Sequence, residues 1–225
     1  MTEINLHQCD EATWQAAQRM EFSVWGGENC GDGYDWADYW EDNCNGYSFL
    51  RGNHYGHVIE VACGPYAKNL RTIMPMITYE QLYVLDPLLD GYCKLGKSGV
   101  AKLLPTVGGI GMTTTLEEMT QHDMFDLLIC NNAIDHCYDL ELVFENMYNA
   151  IKPGGTILFG NDLKCREDMA IARDTMHPIM VEQDYLDEKF SRYEEELYKK
   201  VVGRDVVRNK TACCGAYFAA FRKAT

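Results

Sequence analysis

An α/β fold with a doubly wound, mostly parallel sheet is predicted by three features of this 225-residue sequence. From His57 onward, short apolar runs alternate with helical patterns, as expected for parallel strands joined by right-handed crossover helices on both faces. The first run passes into a glycine turn, "EVACGPYA", at the place where such sheets bind ligands. The C-terminal end breaks the rhythm with two strand-like segments, "RYEEELYKKVV" and "CCGAYFAAFRK", separated by "GRDVVRNKTA". That linker is too short for a crossover helix, so the two strands are expected to pair antiparallel.

The elements follow in order. Residues 11–25, "EATWQAAQRMEFSVW", have a helical composition, with Trp14, Gln18, Glu21 and Trp25 at i, i+4, i+7 and i+11 on one face. A glycine-rich loop and a segment dense in aromatics and acids come next, within "GGENCGDGYDWADYWEDNCNGY". "HVIEV" is the first strand, residues 67–77 a helix, "QLYVLD" the second strand, and "DLLIC" at 126–130 a later one. Leu140, Val143, Phe144, Met147 and Ile151 repeat at i, i+3, i+4, i+7 and i+11, and "KPGG" ends that helix before the strand "TILFG" at 156–160. Residues 89–114 show no pattern strong enough to assign, and "GKSGVAK" lacks the spacing of a P-loop.

Composition excludes several partners. The formal net charge of −14 leaves few basic clusters to displace counterions from phosphates, which disfavours a nucleic-acid partner. No apolar run approaches the roughly 18 residues that span a bilayer, so no membrane association is expected. The acidic N-terminus has no apolar signal core, and nothing in it points to export. Ten cysteines are scattered without a C-x-x-C pair, which reads as thiols in a reducing cytoplasm rather than a disulfide framework or a zinc site. No metal is expected: "DGYDWADYWEDN" also lacks the order of an EF-hand loop.

The glycine turn limits the ligand. Closing on a pyrophosphate takes several glycines, whereas here only Gly64 is present, with Ala62 and Ala67 at the other small positions and Pro65 directly after. A nucleoside without a phosphate bridge fits better. Asp86 ends the second strand 22 residues after Gly64, where a carboxylate can accept from both ribose hydroxyls and repel a 2′-phosphate. It would otherwise be a turn cap ahead of Pro87. Asn131 leaves the strand that ends at Cys130, and Asp135 and His136 follow. A histidine beside an aspartate at a strand's carboxyl end can act as a general base, its ordinary pKa being about 6.5, or the pair can simply close the loop before the next helix.

Four motifs, "VIEVACGPYA", "YVLDP", "FDLLICNNAIDH" and "AIKPGGTILF", stand in the order and spacing of one family. Over residues 50–225 the chain resembles the class I S-adenosylmethionine-dependent methyltransferases. The resemblance implies a seven-stranded Rossmann-like sheet with an antiparallel C-terminal hairpin, S-adenosylmethionine as cofactor, and methyl transfer to a small molecule, a sugar or other hydroxyl acceptor being favoured. It implies cofactor contacts from Glu60, Ala62, Gly64, Pro65, Asp86, Pro87 and Asn131, with Thr115, Leu116 and Glu117 at the adenine edge and Asp135 and His136 as the catalytic pair. Positions 62 and 67 carry alanine where the family has glycine. A looser likeness to bacterial members with a "W-x-x-x-Q-x-x-E-x-x-x-W" helix implies a helical cap over residues 1–50 on a cofactor domain of residues 51–225. Trp14, Gln18, Glu21 and Trp25 would then meet the substrate.

The aromatics of that region, Trp14, Trp25, Tyr34, Trp36, Tyr39 and Trp40, lie among Glu28, Asp32, Asp35, Asp38, Glu41 and Asp42. Rings with carboxylates suit sugars or cationic amines, and equally suit a cap packed on a core. Two readings compete with methyl transfer: a nicotinamide-dependent dehydrogenase, and a non-catalytic nucleoside-cofactor-binding module whose aromatic cap engages a protein partner.

Overall fold

The computed structural model describes residues 5–26, 36–96, 98–164, 175–207 and 213–225, with side chains described from residue 39 in the second of these stretches. Seven strands form one sheet: β1 (His54–Val61), β2 (Thr78–Leu85), β3 (Ile110–Met112), β4 (Phe125–Asn131), β5 (Ile151–Leu163), β6 (Glu195–Gly203) and β7 (Gly215–Arg222). Their order is β3-β2-β1-β4-β5-β7-β6. The first five pair in parallel, and β7 runs antiparallel between β5 and β6. The doubly wound sheet and its antiparallel hairpin are those predicted.

The central strands read as unbroken apolar runs because both of their faces are covered. Val58, Ile59 and Val61 of β1 and Leu127, Leu128 and Ile129 of β4 are fully buried. Seven helices accompany the sheet among the described residues: α1 (Glu11–Trp25), α2 (Trp36–Asn43), α3 (Lys68–Ile73), α4 (Leu89–Lys94), α5 (Gly99–Val107), α6 (Leu140–Ala150) and α7 (Gln183–Phe190). On one face Phe144 of α6 and Phe190 of α7 pack with Phe159 and Tyr217 of the sheet. On the other, Leu70 and Ile73 of α3 join Trp40, Tyr47 and Phe218.

Local chemistry sets the boundaries. Asp10 caps α1 by accepting from the Thr13 amide, and Asp139 caps α6 by accepting from Leu142. α3 is shorter than the predicted 67–77 because Pro75 lacks an amide donor, so the chain tightens into a 3-10 turn over Met74–Met76. The unassigned region 89–114 holds α4, α5 and β3, elements of six, nine and three residues, too short to leave a clear period.

The two N-terminal helices lie in different places. α1 crosses the carboxyl ends of the strands: Gln18 Nε2 donates to the His136 carbonyl at 3.3 Å, Trp14 meets Tyr138 edge-on, and Phe22 stacks on Tyr92. That last contact needs Gly91, where a Cβ would sit 2.7 Å from the Phe22 ring. α2 packs instead on the sheet. Trp40 is 2% exposed and lies 4.8 Å from the Phe218 ring, over Gly160, where a Cβ would come within 2.5 Å of the indole. Tyr39 and Trp40 are therefore core residues and do not face a ligand. Tyr34 and the acids Glu28, Asp32 and Asp35 lie outside the described residues, as do the Trp36 and Asp38 side chains.

Among the described residues no disulfide joins any cysteine, and no helix is long and apolar enough to cross a membrane. Cys30 and Cys165 lie outside them.

Candidate active site

Sheet order reverses between β1 and β4, which leaves a crevice beyond the carboxyl ends of these strands. An open cleft lies there, with about 580 Å³ of empty space that includes the solvent at its mouth. It is bounded by the β1–α3 turn, the end of β2, the 115–117 loop, the turn after β4 and the underside of α1.

The β1–α3 turn is held in an unusual backbone conformation. Ala62, Gly64 and Ala67 all have left-handed φ, at +49°, +57° and +46°. For an alanine this region costs about 1–2 kcal/mol, so the two alanines carry strain that the family's glycines avoid. Asp86 ties the turn to the end of β2: its Oδ2 accepts from the Gly64 amide at 2.9 Å and its Oδ1 from the Leu88 amide at 2.8 Å. Burial pushes its carboxyl up to about 6, against the pull of those two amides. Each oxygen keeps a lone pair, and the group lines the cleft with Pro87, Leu88 and Tyr92 beside it.

Not every predicted contact reaches the cleft. Both Glu60 oxygens are taken by the start of α3, from the Asn69 amide and side chain at 3.3 and 3.0 Å and the Leu70 amide at 2.9 Å. Burial raises Glu60 to about 7. Pro65 is buried and its carbonyl accepts from Val100. Asn131 donates to the Asn69 side chain at 3.0 Å. These three shape the turn from beneath, and the next residue, Asn132 at φ +52°, lines the cleft in place of Asn131. Ala62, Gly64, Asp86 and Pro87 do line it.

The opposite wall holds Thr115, Leu116 and Glu117. Glu117 accepts from the Tyr138 and Asp139 amides at 2.6 and 3.2 Å, and Asn146 of α6 donates to the Leu116 and Glu117 carbonyls. The loop is thus fixed at both ends. From α1, Trp14, Gln18 and Glu21 form the roof. Trp25, on the same sequence stripe, packs against the core cluster that contains Tyr92.

His136 closes the far end. Its Nδ1 lies 3.8 Å from Glu21 Oε2, and its ring lies 4.3 Å from the ring of His177. Burial pushes His136 down to about 4, against the pull of Asp135, so the imidazole is neutral at neutral pH. Asp135 sits behind it, 2% exposed, with Lys164 Nζ 3.5 Å away. Burial works to raise Asp135, but His177, Lys164 and His136 outweigh it and hold the carboxyl at about 2.

Several residues of this architecture escaped sequence reasoning. His177 and Lys164 stand in no motif and reach Asp135 only through the fold. Asn161, fully buried, accepts from the Ala133 and Ile134 amides and so sets the turn that presents His136. An asparagine in the otherwise apolar run "TILFGND" was the available signal.

A family model described as a methyltransferase domain matches residues 101–159. The N-methyltransferase NodS from Bradyrhizobium japonicum WM9, crystallised with S-adenosyl-L-homocysteine, superposes with a TM-score of 0.62 at 13% identity, covering 95% of this chain and 99% of NodS. The Burkholderia thailandensis 1,6-didemethyltoxoflavin-N1-methyltransferase, with bound substrate and S-adenosylhomocysteine, gives 0.62 at 12% identity, covering 99% and 94%. The cyclase SpnF gives 0.64 at 13% identity over 100% of both chains. No curated protein sequence matches. The chain has the fold of the class I S-adenosylmethionine-dependent methyltransferases, and S-adenosylmethionine is the cofactor that the fold and the family match imply.

Backbone strain at Ala62 gives the first test. Ala62→Gly is expected to stabilise the protein by roughly 0.5–1 kcal/mol, the left-handed strain relieved less the extra unfolded-state entropy of glycine. The melting temperature should then rise by about 1–4 °C. A fall of similar size would mean that the methyl packs better than the backbone is strained.

Proposed function

We propose that the protein is an S-adenosylmethionine-dependent methyltransferase acting on a small molecule, with a hydroxyl acceptor, such as that of a sugar, as its substrate class. The observation that carries this reading is the Asp86–Gly64 contact at the switch point, beside a cleft that side chains do not fill. Asp86 has two lone pairs left for ribose hydroxyls, and Thr115, Leu116 and Glu117 line the same cleft, where an adenine edge would lie.

Bound there, S-adenosylmethionine would supply an electrophilic methyl group on a sulfonium. The chain's part is alignment and exclusion of water. Positioning can contribute roughly 7–11 kcal/mol, against about 3–5 kcal/mol for proton transfer, so the walls matter more than any base. Trp14, Gln18 and Glu21 hold the acceptor from above in this reading. A hydroxyl must also lose its proton, and its deprotonation depends on His136, the neutral imidazole at the far end of the cleft. Asp135 acts through His136 as a positioning residue.

One competing reading draws on a specific observation. SpnF has the same fold and is a cyclase, so the fold alone does not decide the chemistry. The single-glycine turn speaks against a dinucleotide and hence against a dehydrogenase.

Calorimetric titration with S-adenosylmethionine, S-adenosylhomocysteine and NAD separates the methyltransferase reading from the dehydrogenase one. The first two should bind and NAD should not; binding of NAD alone would overturn the proposal. The free Asp86 carboxyl, at about 6 against 3.8 when unfolded, opposes folding increasingly as the pH rises through that interval. The ligand's hydroxyls need the ionised form, so affinity should fall as the pH drops below about 6. Asp86→Asn should weaken binding roughly 10- to 100-fold, the about 1.5–3 kcal/mol of a charged hydrogen bond, and flatten that pH dependence. His136→Ala should leave cofactor affinity intact and lower kcat about 10²–10⁴-fold on a hydroxyl acceptor. Unchanged turnover between pH 6 and 9 would remove its role.

A further inference from the structure

At the far end of the cleft the fold assembles a cluster of which methyl transfer as described uses only His136 and, through it, Asp135. Asp135 and His136 come from the turn after β4, His177 from the segment that returns before α7, and Lys164 from the end of β5. One donor atom from each of Asp135, His136 and His177 lies within 4.8 Å of the other two. We propose that these three side chains form a binding site for a divalent transition metal of the zinc or iron(II) class, at the acceptor end of the cleft.

Two independent observations point to a ligand. Asp135 Oδ1 and His136 Nδ1 are buried polar atoms with no hydrogen-bond partner among the described residues, a costly arrangement for a carboxylate that is 2% exposed. Asp162 Oδ1, in the same pocket of polarity, is likewise buried without a partner. The local charge is also unbalanced among the described residues: Asp135 and Asp162 share the ammonium of Lys164, which touches Asp135 through Oδ2, and Glu21 lies on the other side of His136. A further cation answers both the orphaned atoms and the excess negative charge.

The donor set selects the ion. Two imidazoles and one carboxylate suit zinc and iron(II), whereas magnesium and calcium take all-oxygen sites. Metal–ligand bonds of about 2.0–2.2 Å put neighbouring donors roughly 3.3 Å apart, so side-chain rotations of about 1 Å close the observed spacing. Three protein ligands leave positions open toward the cleft, which His136 lines. The ion's role there rests on the methyl-transfer reading: it would take the acceptor hydroxyl as a ligand and lower its pKa, the proton passing to solvent water, so that the dependence of this step on His136 would come from its hold on the ion. The site itself does not rest on that reading.

The test is a titration of the chelator-treated, untagged protein with Co²⁺, followed by visible absorption, and with Zn²⁺, followed by calorimetry. It needs neither cofactor nor acceptor, so its failure is distinguishable from failure of the methyltransferase assignment. One equivalent should bind, with ligand-field bands and without thiolate-to-cobalt charge transfer, which separates this site from the cysteines. His177→Gln should weaken binding at least about 10-fold with the circular-dichroism spectrum unchanged, and Asp135→Asn should do the same. If Asp135→Asn does not fold, His177→Gln decides. No binding, thiolate charge-transfer bands, or wild-type affinity in a folded His177→Gln variant would each overturn the proposal.

Discussion

One carboxylate joins the two halves of the binding crevice. Asp86 leaves the end of β2 and reaches the Gly64 amide in the turn after β1, while its other oxygen fixes the Leu88 amide. The contact holds a strained turn against a neighbouring strand and keeps an ionisable group on the wall of the cleft. Its cost shows in the raised carboxyl, which burial pushes to about 6. A group that opposes folding when ionised persists where something else gains from it, and a ligand offering hydroxyl donors is the simplest such gain.

Around that contact the structure separates support from surface. Glu60, Asn69 and Asn131 form a buried hydrogen-bonded chain beneath the turn, and Asn161 does the same for the turn after β4. These side chains fix backbone positions, and the cleft itself is lined largely by small or apolar groups with a few polar ones aimed inward. The far end differs in kind. There two imidazoles, a lysine and carboxylates crowd together, and chemistry is concentrated where the acceptor would enter.

The sheet was legible in the sequence because its central strands are buried on both faces and so appear as short apolar runs between helical periods. The hairpin was legible because ten residues cannot make a crossover. The 89–114 region was not, since elements of six, nine and three residues leave no period. Within the site, sequence adjacency did not separate lining from support: Glu60, Pro65 and Asn131 neighbour the turn, yet their hydrogen bonds go to the start of α3, to Val100 and to Asn69, and they do not line the cleft. Tyr39 and Trp40 show a similar limit, because aromatic composition does not say which surface a ring covers. His177 and Lys164 reach Asp135 through tertiary structure alone, which no local pattern encodes.

The most direct test of the crevice is hydrogen–deuterium exchange of the whole protein with and without S-adenosylhomocysteine. The account predicts slowed exchange at the amides of residues 62–64, 66, 67, 86, 88 and 115–117, with the β6–β7 hairpin unchanged. Protection confined to other segments, or none at saturating ligand, would contradict it.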